Sequence, residues 1–188
     1  MTSATTVLVA LMVFAVFAAP VRAAEMAPWA GPPPPAFTLP QFGAAPGAAV
    51  SLAEQSGDTI LVHFFASWCE SCRDELPALK RLADRGAPGL RVIAIAVADV
   101  DAPLRRLIEA TGVTFPVLMD RDRAVARAWS ISALPSTVVL NAGHESRLIV
   151  ESDFAWDTVD PTKLIERLAS PRPHISVQQS LITQGEPR

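Results

Sequence analysis

The chain has 188 residues, of which 50% are hydrophobic and 19% are charged, and its formal net charge is -3. This length fits one domain, and the balance of apolar and charged residues excludes an intrinsically disordered chain. The 16 basic residues against 19 acidic ones form no excess of positive charge. We therefore expect no nucleic-acid partner.

An uncharged apolar run extends from Val7 to Ala19 near the N-terminus. Its length fits the hydrophobic core of a secretory signal and is too short to span a membrane as a helix. Ala23 is small, and Val21 two positions earlier is small and apolar, which predicts that the signal is cleaved after Ala23. We therefore predict a signal peptide over residues 1–23 and a periplasmic or otherwise extracytoplasmic location. Because no Lys or Arg precedes the run, an uncleaved N-terminal membrane anchor is the alternative.

Two proline-containing segments flank the predicted domain. Four successive prolines, Pro32–Pro35, favour a stiff polyproline II conformation, so residues 24–35 are predicted to be a linker. Residues 171–188 are rich in Pro, Gln and Ser without apolar periodicity, which predicts a flexible C-terminal tail. The folded domain is therefore predicted to extend over residues 36–170, long enough to build one core.

Strands and helices alternate in the predicted domain. The nearly continuous apolar runs Ile60–Ala66 and Leu90–Val97 predict strands that are covered on both faces. Apolar residues at helical spacing, together with capping residues, predict helices. These helices begin near Cys72, Asp101, Arg121 and Asp160.

Shorter apolar runs complete the predicted sheet. They are Phe115–Leu118, Ser136–Leu140 and Arg147–Val150. An N-terminal β-hairpin is predicted from Phe37–Leu39 and Val50–Leu52. The order of elements predicts an α/β sandwich, in which helices flank a central mixed β-sheet.

Both cysteines of the chain, Cys69 and Cys72, follow the first buried strand and open the first helix. Residues at this spacing in one helical turn can reach the Cα separation of about 4.4–6.8 Å that a disulfide requires. The N-terminus of a helix favours thiolate over thiol. Two such thiols can reduce a disulfide in two steps, in which Cys69 attacks the substrate and Cys72 then attacks Cys69.

Three other interpretations of the cysteine pair are weaker. A structural disulfide across two residues would restrain little of the unfolded chain. A zinc site would need two further ligands, and the 3 histidines are scattered along the sequence. Inert core cysteines do not fit a solvent-facing turn between strand and helix. The pattern therefore predicts a redox-active dithiol, and we expect no metal, flavin or nucleotide cofactor.

The stretch Phe64–Pro77, with Trp-Cys-Glu-Ser-Cys at its centre, resembles the active site of the TlpA/ResA-like thiol–disulfide oxidoreductases of the thioredoxin-fold superfamily. The resemblance continues at Phe115–Asp120 and Leu134–Thr137. It implies a thioredoxin-like sandwich and an exported protein-disulfide reductase.

The resemblance also implies roles for residues around the dithiol. Glu75 would help to deprotonate Cys72, with a solvated helix glutamate as the alternative. Pro135 would be a cis proline beside the dithiol, and the backbone of Leu134 would pair with a substrate chain. Trp68 would shield the nucleophile from water at the substrate-binding surface, or would be only a packing aromatic.

Two residues depart from the pattern that the resemblance implies. His63 stands where thioredoxins have Asp and the TlpA branch often has Asn. A neutral imidazole there could relay the proton of Cys72, although a hydrogen-bonded core histidine is the simpler interpretation. Ser71 stands where Pro often precedes the second cysteine, and this change tends to make the disulfide more oxidising.

The sequence thus predicts a monomeric reductase of protein disulfides. The resemblance implies a membrane thiol as electron donor, and substrates from apocytochrome c or copper-site maturation. The alternative enzyme is a dithiol oxidase or isomerase. A copper-binding chaperone of the Sco type on the same fold is a further alternative, but that family has three residues between its cysteines, and Cys69 and Cys72 have two.

Overall fold

A computed structural model describes residues 25–55 and 57–169 of the chain. The signal peptide predicted over 1–23 and the tail predicted over 171–188 lie outside the described residues. The strands are β1 (Ala27–Pro28), β2 (Thr38–Pro40), β3 (Ala49–Ser51), β4 (Thr59–Phe65), β5 (Leu90–Val97), β6 (Val117–Asp120), β7 (Ser136–Leu140) and β8 (Ser146–Val150). The α-helices are α1 (Glu70–Asp84), α2 (Asp101–Thr111), α3 (Ala124–Ala128) and α4 (Pro161–Ala169), and short 3-10 helices form at Leu52–Glu54 and Trp156–Thr158.

Six strands form one mixed sheet in the order β1-β8-β7-β4-β5-β6. β4, β5 and β6 run parallel, whereas β7 is antiparallel to β4 and to β8. Because parallel neighbours need a crossover connection, α1 and α2 each join two of the parallel strands. β2 and β3 form the predicted N-terminal hairpin. The α/β sandwich with a central mixed sheet is therefore confirmed.

The central strand β4 explains why the helices lie on both faces of the sheet. All seven of its residues are buried. Ile60, Val62 and Phe64 belong to the core layer that contains α3 and the N-terminal hairpin. Leu61 and Phe65 belong to the opposite layer, where α1, α2 and α4 pack. This alternation follows from the two-residue period of a strand, and it requires an apolar residue at nearly every position.

Residues 24–35 are predicted to be a linker, but residues 27–29 and 35 contact the folded domain instead. Ala27 and Pro28 pair with β8 as an edge strand, and the N–H of Trp29 donates to the carbonyl of Arg147 at 2.9 Å. The indole of Trp129 donates to the carbonyl of Pro35 at 2.9 Å. Unpaired backbone groups at the edge of a sheet attract an extended segment, and a proline-rich chain is already extended. This part of the chain therefore belongs to the domain.

Within the described ranges, no helix combines the length and the apolar character that crossing a membrane requires.

The buried carboxylate of Asp120 connects β6 to α3. Its Oδ2 accepts the backbone N–H of Ala126 at 2.8 Å, and its Oδ1 accepts the N–H of Val125 at 3.2 Å. Asp120 thus satisfies two amides at the start of a helix that is too short to be stable by itself.

We expect Asp120→Asn to lower the free energy of unfolding by about 2 kcal/mol, because one carboxylate oxygen is replaced by an NH2 group that faces a buried donor. Urea unfolding of the oxidised protein measures the loss. The matched control is Asp74→Asn, which removes an exposed carboxylate from α1. Equal midpoints for the two variants would contradict the role of Asp120.

Candidate active site

The connection from β4 to α1 places the two cysteines. Cys69 is the N-cap residue of α1, with extended backbone angles, and Cys72 lies in the first helical turn. The two sulfurs form a disulfide with a Cα separation of 5.3 Å, and the Cys69 sulfur also accepts the backbone N–H of Cys72 at 3.2 Å. Cys69 is 9% exposed and Cys72 is fully buried. The Cys69 sulfur is therefore the one nearer to the surface.

Asp99 holds this connection against the neighbouring strand. Its carboxylate accepts the backbone N–H of Ser67 at 2.6 Å and the hydroxyl of Ser67 at 2.7 Å. It also accepts the N–H of Val100 at 2.8 Å. Asp99 follows β5, so these bonds tie the residues before Cys69 to the end of that strand. Trp68, between the anchored Ser67 and the helix, is 57% exposed.

The peptide bond between Leu134 and Pro135 is cis, as the resemblance implies. β7 begins directly after Pro135 and pairs with β4, with Ser136 opposite Phe64. Because these neighbours are antiparallel, the chain that enters β7 lies beside the chain that leaves β4. The structure thus brings Leu134 to the same cavity as the residues that precede α1.

A cavity of about 440 Å³ borders Cys69 and Leu134. Most of its lining residues are apolar, and two arginines, Arg123 and Arg127, contribute the charge. The apolar lining residues are Trp68, Val97, Ala126, Ile131, Ala133 and Leu134. The surface sulfur of the pair therefore faces a site with the apolar lining that is typical of binding pockets.

Glu75 lies one turn after Cys72 in α1 and is only 3% exposed. Its Oε1 accepts a hydrogen bond from the indole N–H of Trp156, and its Oε2 has no partner among the residues that the structure describes. Burial raises the pKa of the Glu75 carboxyl to about 7, although the Trp156 bond and the backbone of Phe154 offset part of the shift. The carboxyl can therefore exchange a proton near neutral pH.

His63 is a fully buried residue of β4, and its Nδ1 lies 2.9 Å from the hydroxyl oxygen of Thr137 in β7. Burial lowers the pKa of the imidazole to about 3, so the ring stays neutral over the physiological range. Its Nε2 has no hydrogen-bond partner in the described part of the chain. The hydrogen bond to Thr137 fits a core histidine, and the role of proton relay stays a prediction.

Several residues of the site were not predicted from the sequence. Asp99 and Trp156 act through contacts with residues far away in the chain, at separations of 32 and 81 positions. The position of Asp99 at the end of a predicted parallel strand is a signal that could have found it, because the ends of such strands meet at one edge. Nothing local marks Trp156, Arg123 or Arg127.

Across residues 25–55 and 57–169, no group of three or more His, Cys, Asp or Glu side chains is arranged to hold a metal ion.

Comparison with known proteins agrees with this geometry. The model of the AhpC/TSA family matches residues 30–145, a range that contains the dithiol and the cis proline. The chain belongs to the AhpC/TSA family. This membership, together with similarity to ResA proteins, confirms the resemblance to the TlpA/ResA-like oxidoreductases.

One relative of this AhpC/TSA family member is the thiol–disulfide oxidoreductase ResA of Bacillus subtilis, which is 29% identical over 96 residues. The match covers 50% of this chain and 54% of ResA. The chain therefore spans about half the length of the curated relatives that it matches.

Solved structures confirm the thioredoxin-like fold. A secreted thiol–disulfide isomerase from Corynebacterium glutamicum superimposes with a TM-score of 0.64 at 20% identity, over 71% of this chain and 85% of that chain. A secreted disulfide oxidoreductase of Mycobacterium tuberculosis gives 0.57 at 22% identity, over 71% and 94%. At these identities the likeness establishes the fold alone.

We expect the stability of the oxidised protein to fall as the pH rises from 4.5 to about 7, because the folded state keeps the proton of Glu75 after the unfolded chain has released it. The loss is on the order of 3 kcal/mol. Glu75→Gln removes the titrating group, so the free energy of unfolding of this variant should change much less over the same pH range.

Urea unfolding at several pH values between these limits measures the effect, with Glu70→Gln as the control for an exposed carboxylate in the same helix. Parallel profiles for the wild-type protein and Glu75→Gln would contradict the raised pKa.

Proposed function

We propose that this chain is an exported thiol–disulfide oxidoreductase that reduces disulfides of protein substrates. The observation that supports it best is the arrangement of the two sulfurs: Cys69 borders an apolar cavity, and Cys72 is buried behind it in the same helical turn. A dithiol with one accessible and one enclosed sulfur suits an exchange reaction in two steps.

In the first step the Cys69 thiolate attacks one sulfur of the substrate disulfide. A mixed disulfide forms and the other substrate sulfur leaves as a thiolate. In the second step the Cys72 thiolate attacks the Cys69 sulfur and releases the second substrate thiolate. The substrate gains two electrons, and the protein is left with the Cys69–Cys72 disulfide.

Electrostatics at the start of α1 support Cys69 as the nucleophile. In the disulfide form its sulfur already accepts the Cys72 N–H at 3.2 Å, and the Ser71 hydroxyl lies 3.5 Å away. Both groups, and the positive end of the helix dipole, would stabilise negative charge on the Cys69 sulfur. A lowered thiol pKa raises the fraction of reactive thiolate at neutral pH.

Glu75 is the proposed base for Cys72. A buried thiol loses its proton with difficulty, because burial disfavours the thiolate. Glu75 lies one helical turn away, and with a pKa of about 7 it is partly ionised at neutral pH. It would take the proton of Cys72 before the second step. Trp156 would hold its carboxyl group in position through the indole hydrogen bond.

The substrate chain is proposed to bind in extended form beside Leu134. Within the described ranges, neither the backbone N–H nor the carbonyl of Leu134 has a hydrogen-bond partner. An extended peptide can use both groups as an added strand. Trp68 would then form the surface next to the scissile disulfide, and the buried Pro135 would present the backbone of Leu134 to the substrate chain.

Location and partners are further parts of the proposal. The apolar run at Val7–Ala19 supports export, as do two structural neighbours that are described as secreted. Outside the cytoplasm a thiol donor in the membrane would restore the dithiol of a monomeric protein. Apocytochrome c and copper-site proteins are the proposed substrates, because the resemblance to the ResA-like branch implies them.

A dithiol oxidase or isomerase is the second candidate, and Ser71 favours it. A hydroxyl that donates to the Cys69 thiolate stabilises the reduced form, and a stable reduced form makes the disulfide a stronger oxidant. The two candidates use the same sulfurs and differ in the direction of electron flow.

We expect Cys72→Ser to accumulate a mixed disulfide with a disulfide-bonded peptide, because the second step is blocked, whereas Cys69→Ser should form at least tenfold less adduct. Mass spectrometry after acid quenching measures the adduct. The two variants are matched, since each loses the same internal disulfide. More adduct with Cys69→Ser would contradict the assignment of Cys69 as the nucleophile.

A further inference from the structure

The cavity beside Cys69 differs in charge from the protein as a whole. The chain has a net charge of -3, yet no acidic residue lines this cavity, whereas Arg123 and Arg127 both do. The rest of the lining is apolar apart from Cys69 and Ser132. A ligand that fits this cavity therefore combines an apolar part with a negative charge.

The two cavity arginines are not neutralised by carboxylates in the described part of the chain. Arg81, Arg91 and Arg121 form ion pairs with aspartates, at distances of 2.8, 2.9 and 2.5 Å. By contrast, one nitrogen of Arg127 donates to the backbone carbonyl of Asp122 at 2.7 Å. This bond restrains the guanidinium and leaves its other donors available to a ligand.

We propose that this cavity selects protein disulfides in which an acidic side chain lies within about three residues of the cysteine that Cys69 attacks. The inference rests on the proposed function and adds a substrate class to it. A guanidinium binds a carboxylate through parallel hydrogen bonds, so Arg123 and Arg127 are suited to such a side chain.

The size of the cavity sets the distance between the acidic residue and the cysteine. A compact volume of about 440 Å³ is roughly 10 Å across, which is the length of about three residues in an extended chain. Glu70 follows Cys69 directly but is exposed on α1 outside the cavity. An acidic residue is therefore favoured on the cavity side of the substrate cysteine and disfavoured on the α1 side.

Four disulfide-bonded peptides test this selectivity. Two of them have Glu or Gln two residues before the cysteine, and the other two have Glu or Gln two residues after it. Their kcat/KM for reduction is measured with excess thiol reductant and with the uncatalysed rate subtracted. In one pair of peptides we expect the kcat/KM of the wild-type protein to be about fivefold higher for the Glu peptide than for the Gln peptide. An exposed ion pair contributes a free energy that corresponds to a factor of about this size.

The double variant Arg123→Gln and Arg127→Gln should bring this ratio close to one. The matched control is Arg106→Gln with Arg167→Gln, which removes the same charge from exposed positions of α2 and α4 and should keep the preference. Raising the salt concentration should reduce the preference of the wild-type protein, because salt screens exposed charges.

Equal kcat/KM for Glu and Gln in both pairs would overturn the inference and leave the proposed function in place. A preference that survives in the Arg123 and Arg127 double variant would also overturn it. If none of the four peptides is reduced, the proposed function is wrong and the inference is wrong with it.

Discussion

The backbone N–H of Cys72 points at the sulfur of Cys69, and the rest of the site depends on this contact. It exists because a strand buried on both faces ends at Phe65 and a helix starts five residues later. The turn between them places Cys69 at the helix N-terminus, where it borders the cavity, and encloses Cys72 completely. The proposed stabilisation of a Cys69 thiolate, and the proposed order of the two attacks, rest on the same geometry.

Three surrounding contacts keep that turn in place and give it a chemical environment. Asp99 fixes Ser67 to the end of β5, and the pairing of β7 with β4 brings Leu134, the residue before the cis proline, to the cavity that Cys69 borders. On the enclosed side, Trp156 binds the carboxyl of Glu75. In the proposed mechanism the side of Cys69 would receive the substrate, while Glu75 on the enclosed side would exchange the proton of Cys72.

The fold is predictable from the sequence because a strand covered on both faces needs a nearly continuous apolar run such as Ile60–Ala66. The cysteine pair is predictable because its chemistry depends on spacing, whereas the cis proline at Pro135 is implied only by the resemblance to the thioredoxin-fold oxidoreductases. Trp156 is not predictable, since its partner lies 81 positions away and leaves no local pattern. For Asp99, whose partner lies 32 positions away, the only signal is its place at the end of a predicted parallel strand. For residues 24–35, prolines predict extended backbone, which suits a spacer and an edge strand equally.

The equilibrium reduction potential of the Cys69–Cys72 pair tests the central claim most directly. The oxidised fraction is measured by thiol trapping and mass spectrometry in graded thiol buffers, with the wild-type protein. A reductase that receives electrons from a membrane thiol requires a potential of about -230 mV or lower. A value near about -120 mV would mean that the reduced form is strongly stabilised. That result would contradict the reductase and assign the same two sulfurs to an oxidase or isomerase.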